Sequence, residues 1–200
     1  MESQAKISLK KSDMLQYLIL IGFGLIVTFL YLGLEWRATG GITGVPIDDS
    51  WIHFRFANNL RSGDGFAFNP GRQTPGSTSP LWVVILSLID LGFLLPSKII
   101  GILAYLASGI LVYQLARRFN LRWYYALIAG LGTLAAGRFA WAAPSGMETT
   151  TFALVSLLAL WSWTRAPQGE IPWYTSILFG IACLLRPEGY LFLALSCLVL

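Results

Sequence analysis

Asp48-Asp49, His53 four residues further on, Glu148, and the Arg186-Pro187-Glu188 turn hold the side chains whose types and spacing suit chemistry. Adjacent carboxylates repel, and partial burial at a membrane surface raises the pKa of at least one of them. Such a pair suits a general base working near neutral pH, or a seat for a divalent cation. A helix cap has the same look in sequence and stands as the plain alternative. Asp49 and His53 are spaced to share a helical face, but a metal centre needs more ligands than these two, so the metal is left unknown. Arg55 and Arg186 offer the planar donor fork that fits phosphate, and lipid head groups would suit them equally. Glu148 and Glu188 either orient a substrate, pair with the arginines, or end helices. Asp90 interrupts an apolar run and faces either an external cavity or the interface.

The elements that must position these residues follow from composition. Hydrophobic residues make up 56% of the 200 and charged residues only 12%, with a mean hydropathy of +0.64. A soluble domain carries roughly a quarter charged residues, so this chain has too little polar surface to cover a core and needs lipid as solvent. Its apolar runs lack the period of two that barrel strands require, so the expected fold is all-α, a polytopic transmembrane helical bundle. The net charge of +4 is spread over loops and implies no nucleic-acid partner. Cys183 and Cys197 lie inside apolar runs, which reads as inert buried thiols rather than a disulfide or metal pair.

Residues 1–14 form a polar segment with Lys6, Lys10 and Lys11, expected on the cytoplasmic side. Residues 15–34 carry no charge, enough to cross a hydrocarbon core of about 30 Å. This reads as a retained span rather than a cleaved signal, because the run is long for a signal and no small-residue cleavage site follows. Residues 35–98 form the external loop, with interfacial helices at about 50–61 and 81–95. The first is capped by Asp49 or Ser50 and places Ile52, Phe56 and Leu60 on one face, with His53, Arg55, Asn58 and Asn59 elsewhere. The second is short for a span and is closed by Pro96. If it stays outside, the span at 99–116 delivers Arg117, Arg118 and Arg122 to the cytoplasm, as the positive-inside rule prefers. Further spans follow at about 123–140, 150–164, 173–185 and 190–200, the last incomplete. This topology brings Asp48, Asp49, His53, Arg55, Glu148, Arg186 and Glu188 to one external face, where ionisable groups are functional candidates.

The order of these residues resembles a known family. Asp48-Asp-Ser-Trp-Ile-His-Phe-Arg55, Gly63-Asp-Gly-Phe-Ala-Phe-Asn-Pro-Gly71 and Thr74-Pro-Gly-Ser-Thr-Ser-Pro-Leu-Trp82 are similar to the first external loop of the GT-C polyprenyl-phosphate-sugar glycosyltransferases. The group with mycobacterial-type terminal arabinofuranosyltransferases, and the related protein mannosyltransferases, resembles it best. Ser145-Gly-Met-Glu-Thr149 and Arg186-Pro-Glu-Gly189 resemble two further signatures of that group. The resemblance implies a bacterial inner-membrane or plasma-membrane enzyme acting on the external face in cell-envelope glycan biosynthesis. The donor would be a polyprenyl-phosphate-linked sugar and the acceptor a glycan, lipid or protein hydroxyl. Asp48 or Asp49 would be the catalytic base, Arg55 and Arg186 would hold the donor phosphate, and His53, Glu148 and Glu188 would bind substrate. No cofactor is demanded; a divalent cation at the carboxylates stays open. Family members place an acid where Pro75 stands and an aromatic where Ser77 stands, and run to about twice this length. The chain therefore matches their N-terminal module alone. A non-catalytic lipid-binding or transporter-like membrane protein is the competing reading.

Overall fold

The computed structural model describes residues 11–73, 76–89, 91–167 and 170–198. Nine helices and one small hairpin occur among them: α1 (Lys11–Ala38), α2 (Asp48–Arg61), β1 (Ala67–Asn69), β2 (Arg72–Gln73), α3 (Pro80–Ser87), α4 (Leu94–Arg118), α5 (Trp123–Ala135), α6 (Gly137–Ala142), α7 (Thr149–Trp163), α8 (Trp173–Leu185) and α9 (Gly189–Leu198). The chain is all-α in class, the hairpin apart. Two segments, Asp13–Ala38 and Leu94–Arg118, are long and apolar enough to cross a membrane by length and composition; α5, α7 and α8 are apolar but shorter.

The helices α1, α4 and α5 pack together, and α4, α7, α8 and α9 continue the row. Leu20, Tyr105, Tyr113 and Leu134 centre the first core. Here Gly130 permits close approach: a Cβ on it would lie 2.8 Å from the Leu20 side chain and 2.9 Å from the Gly109 carbonyl oxygen. A second core, of Phe54, Phe56, Trp82, Leu86 and Leu185, binds α2 and α3 to α8.

Several sequence expectations need correction. The expected helix at 81–95 ends at Ser87, and Asp90 lies outside the described residues. Pro96 opens α4 instead of closing the helix before it. Lying in the first turn, where backbone N–H groups have no partner within the helix, its missing N–H costs little. The expected span at 123–140 breaks at Ala136, whose ψ is 107°, and resumes as α6. Just before the break, the Thr133 hydroxyl donates to the Ala129 carbonyl, a back-bond that bends helices. The break also lets the Tyr31 hydroxyl reach the Gly137 carbonyl at 3.1 Å. On α2, burial extends beyond the expected apolar face to His53 and Asn59. Asn59 is there because its amide closes the hairpin, donating to the Ala67 and Phe68 carbonyls at 2.8 and 2.9 Å.

A half-buried ion pair ties α1 to α4. Lys98 Nζ lies 2.7 Å from both Glu35 carboxylate oxygens, and Glu35 Oε1 also accepts the Gly44 N–H. Beside it, Tyr31, Leu34, Val45, Pro46, Trp141 and Pro144 wall a largely apolar crevice of about 400 Å³.

Candidate functional site

The site is assembled from the loop before α7, the first turns of α2, the segment before α3, and the end of α8. The loop comes first, because three tethers fix it. Ser50 Oγ donates to the Ser145 carbonyl at 2.9 Å, Trp82 Nε1 donates to the Gly146 carbonyl at 3.1 Å, and Ser145 Oγ donates to the Ala142 carbonyl at 2.8 Å. Gly146 takes φ +81°, and a Cβ there would press within 2.7 Å of Val45 and 3.2 Å of Phe54. Only glycine fits both demands. The loop then delivers Glu148, 1% exposed, to the start of α7.

Glu148 is held between a histidine and an arginine. Arg186 Nη1 donates to Glu148 Oε1 at 3.1 Å and to Thr149 Oγ1 at 3.2 Å. Its Nε and Nη2 grip Glu188 at 3.2 and 2.9 Å, a two-pronged contact. Arg186 can do this because the chain leaves α8 there in extended form, before Pro187. On the other side, His53 Nε2 lies 3.4 Å from Glu148 Oε2, long for a hydrogen bond but close enough for charge attraction. That oxygen is buried without a hydrogen-bond partner among the described residues. His53 Nδ1 lies 3.0 Å from Ser77 Oγ. A Ser77 hydroxyl donating to Nδ1 leaves the ring proton on Nε2, facing Glu148.

Burial alone would raise the Glu148 carboxyl. His53, the residue's own backbone N–H and the Arg186 charge outweigh it, and the carboxyl sits below its ordinary value. Glu188 is lowered too, first by its hydrogen bonds from Arg186. Arg186 is raised, chiefly by Glu188 against the cost of burial, with Glu148 and Asp49 adding their charges.

Asp49, Ile52, His53, Thr78, Glu148 and Arg186 line one small cavity of about 180 Å³. The two aspartates have separated roles in this geometry. Both are exposed in the first turn of α2, contrary to the expected partial burial, and Ile47 rather than Asp49 or Ser50 is the N-cap. Asp48 turns one oxygen back to the Asp49 N–H at 3.1 Å and is not on the cavity wall, whereas Asp49 is. Negative charge at this end of α2 is favoured by the helix dipole. Arg55 is not part of the cavity: its Nε donates to the Phe68 carbonyl at 3.1 Å, bracing the hairpin. Glu188 stands at the rim, 55% exposed, reaching the site only through Arg186.

Among the described residues no group of three or more His, Cys, Asp or Glu side chains is close enough to hold a metal ion. Sequence reasoning missed Ser77, Thr78 and Thr149 as neighbours of the site; the departure at Ser77 was visible, but its contact with His53 spans 24 positions. No protein-family model, no curated protein and no solved structure matches this chain, so the glycosyltransferase resemblance rests on its motifs alone.

Proposed function

We propose that this chain is a multi-pass membrane glycosyltransferase of GT-C type, moving a sugar from polyprenyl phosphate to an acceptor hydroxyl on the external membrane face. The observation that carries the proposal is the convergence of Asp49, His53, Glu148 and Arg186, from three separate segments, on one cavity at the ends of apolar helices. Asp49 and Glu148 put two carboxylates on its wall, which suits a transition state with positive charge spreading over the sugar ring.

In this reading Asp49 is the general base. It takes the acceptor hydroxyl proton as that oxygen bonds to the anomeric carbon and the bond from that carbon to the phosphate oxygen breaks. Polyprenyl phosphate departs with the electron pair. Arg186 stabilises the departing charge. Four of its five N–H donors are already engaged, two of them by Glu188, which is the more exposed of its two acids. The phosphate therefore displaces Glu188, one two-pronged anion replacing another. Glu148 stays behind to hold His53 and Arg186 in place. The apolar crevice beside Trp141 and Pro144 is bordered by Ser145 of the same loop and suits the isoprenoid chain.

Membrane embedding is supported by the surface of α1, where Leu18, Ile26, Phe29 and Leu30 are all more than half exposed. Without lipid such a face would be wet. The helix-end charges support the orientation: Arg117, Arg118 and Arg165 cluster near the start of α1, opposite the cavity. A non-catalytic lipid-binding protein would use the same crevice without turnover. The two are separated by incubating the chain in proteoliposomes with radiolabelled polyprenyl-phosphate sugars and glycan or lipid acceptors. Label passing to an acceptor is expected; lipid binding without transfer from any donor would overturn the enzymatic reading.

A further inference from the structure

The helix α7 carries Glu148 at its start and a second polar cavity at its end, 17 positions on at Arg165, about 25 Å away along the helix axis. This second cavity, of about 370 Å³, is walled by Asp13, Tyr17, Arg117, Arg118, Trp161 and Arg165 among others. Three guanidinium groups from two different elements face one space. Among the described residues none of the three has a carboxylate within ion-pair distance. The one carboxylate in the wall, Asp13, is engaged by the Tyr113 hydroxyl at 2.9 Å.

Each arginine is held by a neutral group that, among the described residues, leaves donors unengaged. Arg117 Nη1 donates to the Leu121 carbonyl at 3.0 Å. Arg118 donates to the Thr164 carbonyl through Nε at 2.8 Å and through Nη2. Arg165 lies over the Trp161 ring at 3.6 Å, which supports a cation while using none of its N–H groups. Like charges held this close repel: burial first, and then Arg118, push the Arg165 guanidinium below its ordinary value. Such repulsion is relieved by an anion, and forked donors around a pocket fit a phosphate.

We propose that this cavity is a second binding site, for the phosphate of an anionic lipid headgroup or of a free phosphate, remote from the transfer site and independent of its activity. Trp161 and Tyr17 give the pocket an interfacial character that suits a headgroup.

The test uses the detergent-solubilised chain titrated with short-chain phosphatidylglycerol, with phosphatidylcholine of equal chain length, and with inorganic phosphate. Phosphatidylglycerol should bind about tenfold tighter than phosphatidylcholine, and Arg118→Gln/Arg165→Gln should abolish the preference. Arg122→Gln, outside the cavity with its guanidinium on the Tyr124 hydroxyl, should keep it. Inorganic phosphate competing at millimolar levels would identify free phosphate as the source; failure to compete would identify the lipid. Because the Arg118 contact joins α4 to the end of α7, wild-type protein is also measured alone: its preference should fall steeply between about 50 and about 500 mM salt. Equal binding of the two lipids, a salt-independent preference, or a preference intact in a folded double variant would overturn the proposal.

Discussion

Replacing Glu148 with glutamine keeps the shape of the side chain and removes one buried charge. At 3.1 Å from Arg186 Nη1, that charge contributes about 5 kcal/mol of gross attraction at an effective dielectric near 20. The desolvation of the carboxylate, the largest influence on its pKa, opposes this. Glutamine still offers Arg186 an acceptor, so the net loss should be about 2 kcal/mol, the scale of a hydrogen bond to a charged group. The pH dependence sharpens the test. The folded carboxyl lies below its ordinary 4.5, so its stabilisation is fully present above about that value and is lost as pH falls through the lower folded value. The gap between wild type and Glu148→Gln should close in acid solution, as the wild-type carboxyl is neutralised. Denaturant unfolding in detergent micelles, followed by far-ultraviolet circular dichroism, measures it. A variant as stable as wild type at neutral pH would refute the reasoning. So would a gap that goes on growing as the pH falls below 4.5.

Other outcomes follow from particular contacts. Gly146→Ala forces a Cβ onto Val45 at a positive φ, and should lower unfolding free energy by about 2 kcal/mol and reduce transfer, as Glu148 is displaced. Lys98→Met leaves the half-buried Glu35 carboxylate without its counter-charge, and should destabilise by about 2 kcal/mol; adding Glu35→Gln should recover most of that in the same unfolding assay. If phosphate displaces Glu188, Glu188→Gln should lower the donor KM severalfold, read from initial transfer rates at varied donor concentration.

Much of the helical frame was legible because apolar runs report directly on burial in lipid or core. What misled was local punctuation. Pro96 has the same appearance at the end of one helix as in the first turn of the next, and only the position of the preceding turn decides which. The break at Ala136 has no proline to announce it, and the Gly137-Arg138 pair that follows was passed over. The burial of His53 and Asn59 on α2 was not legible for a different reason: Glu148, Ser77 and the hairpin carbonyls satisfy them. Those partners lie on other segments, which periodicity within one helix does not see. Glu35 and Lys98, 63 positions apart, were passed over for the same reason. The motif spacing did single out Asp49, His53, Glu148 and Arg186, which the fold brings to one cavity, and Arg55, which it does not. Neighbouring residues of one type are hardest to separate: Asp48 and Asp49 differ only in which one bonds back to the helix and which one meets the cavity.

That difference gives the most direct test of the proposed mechanism. Sugar transfer from a polyprenyl-phosphate donor is measured for wild type, Asp48→Asn, Asp49→Asn and the double variant, with donor binding recorded separately. Asp49→Asn should lower the transfer rate by about 10³-fold with donor binding nearly unchanged, while Asp48→Asn should cost far less. Undiminished transfer by Asp49→Asn and by the double variant would contradict the assignment of the base and, with it, the account of the cavity as a transfer site.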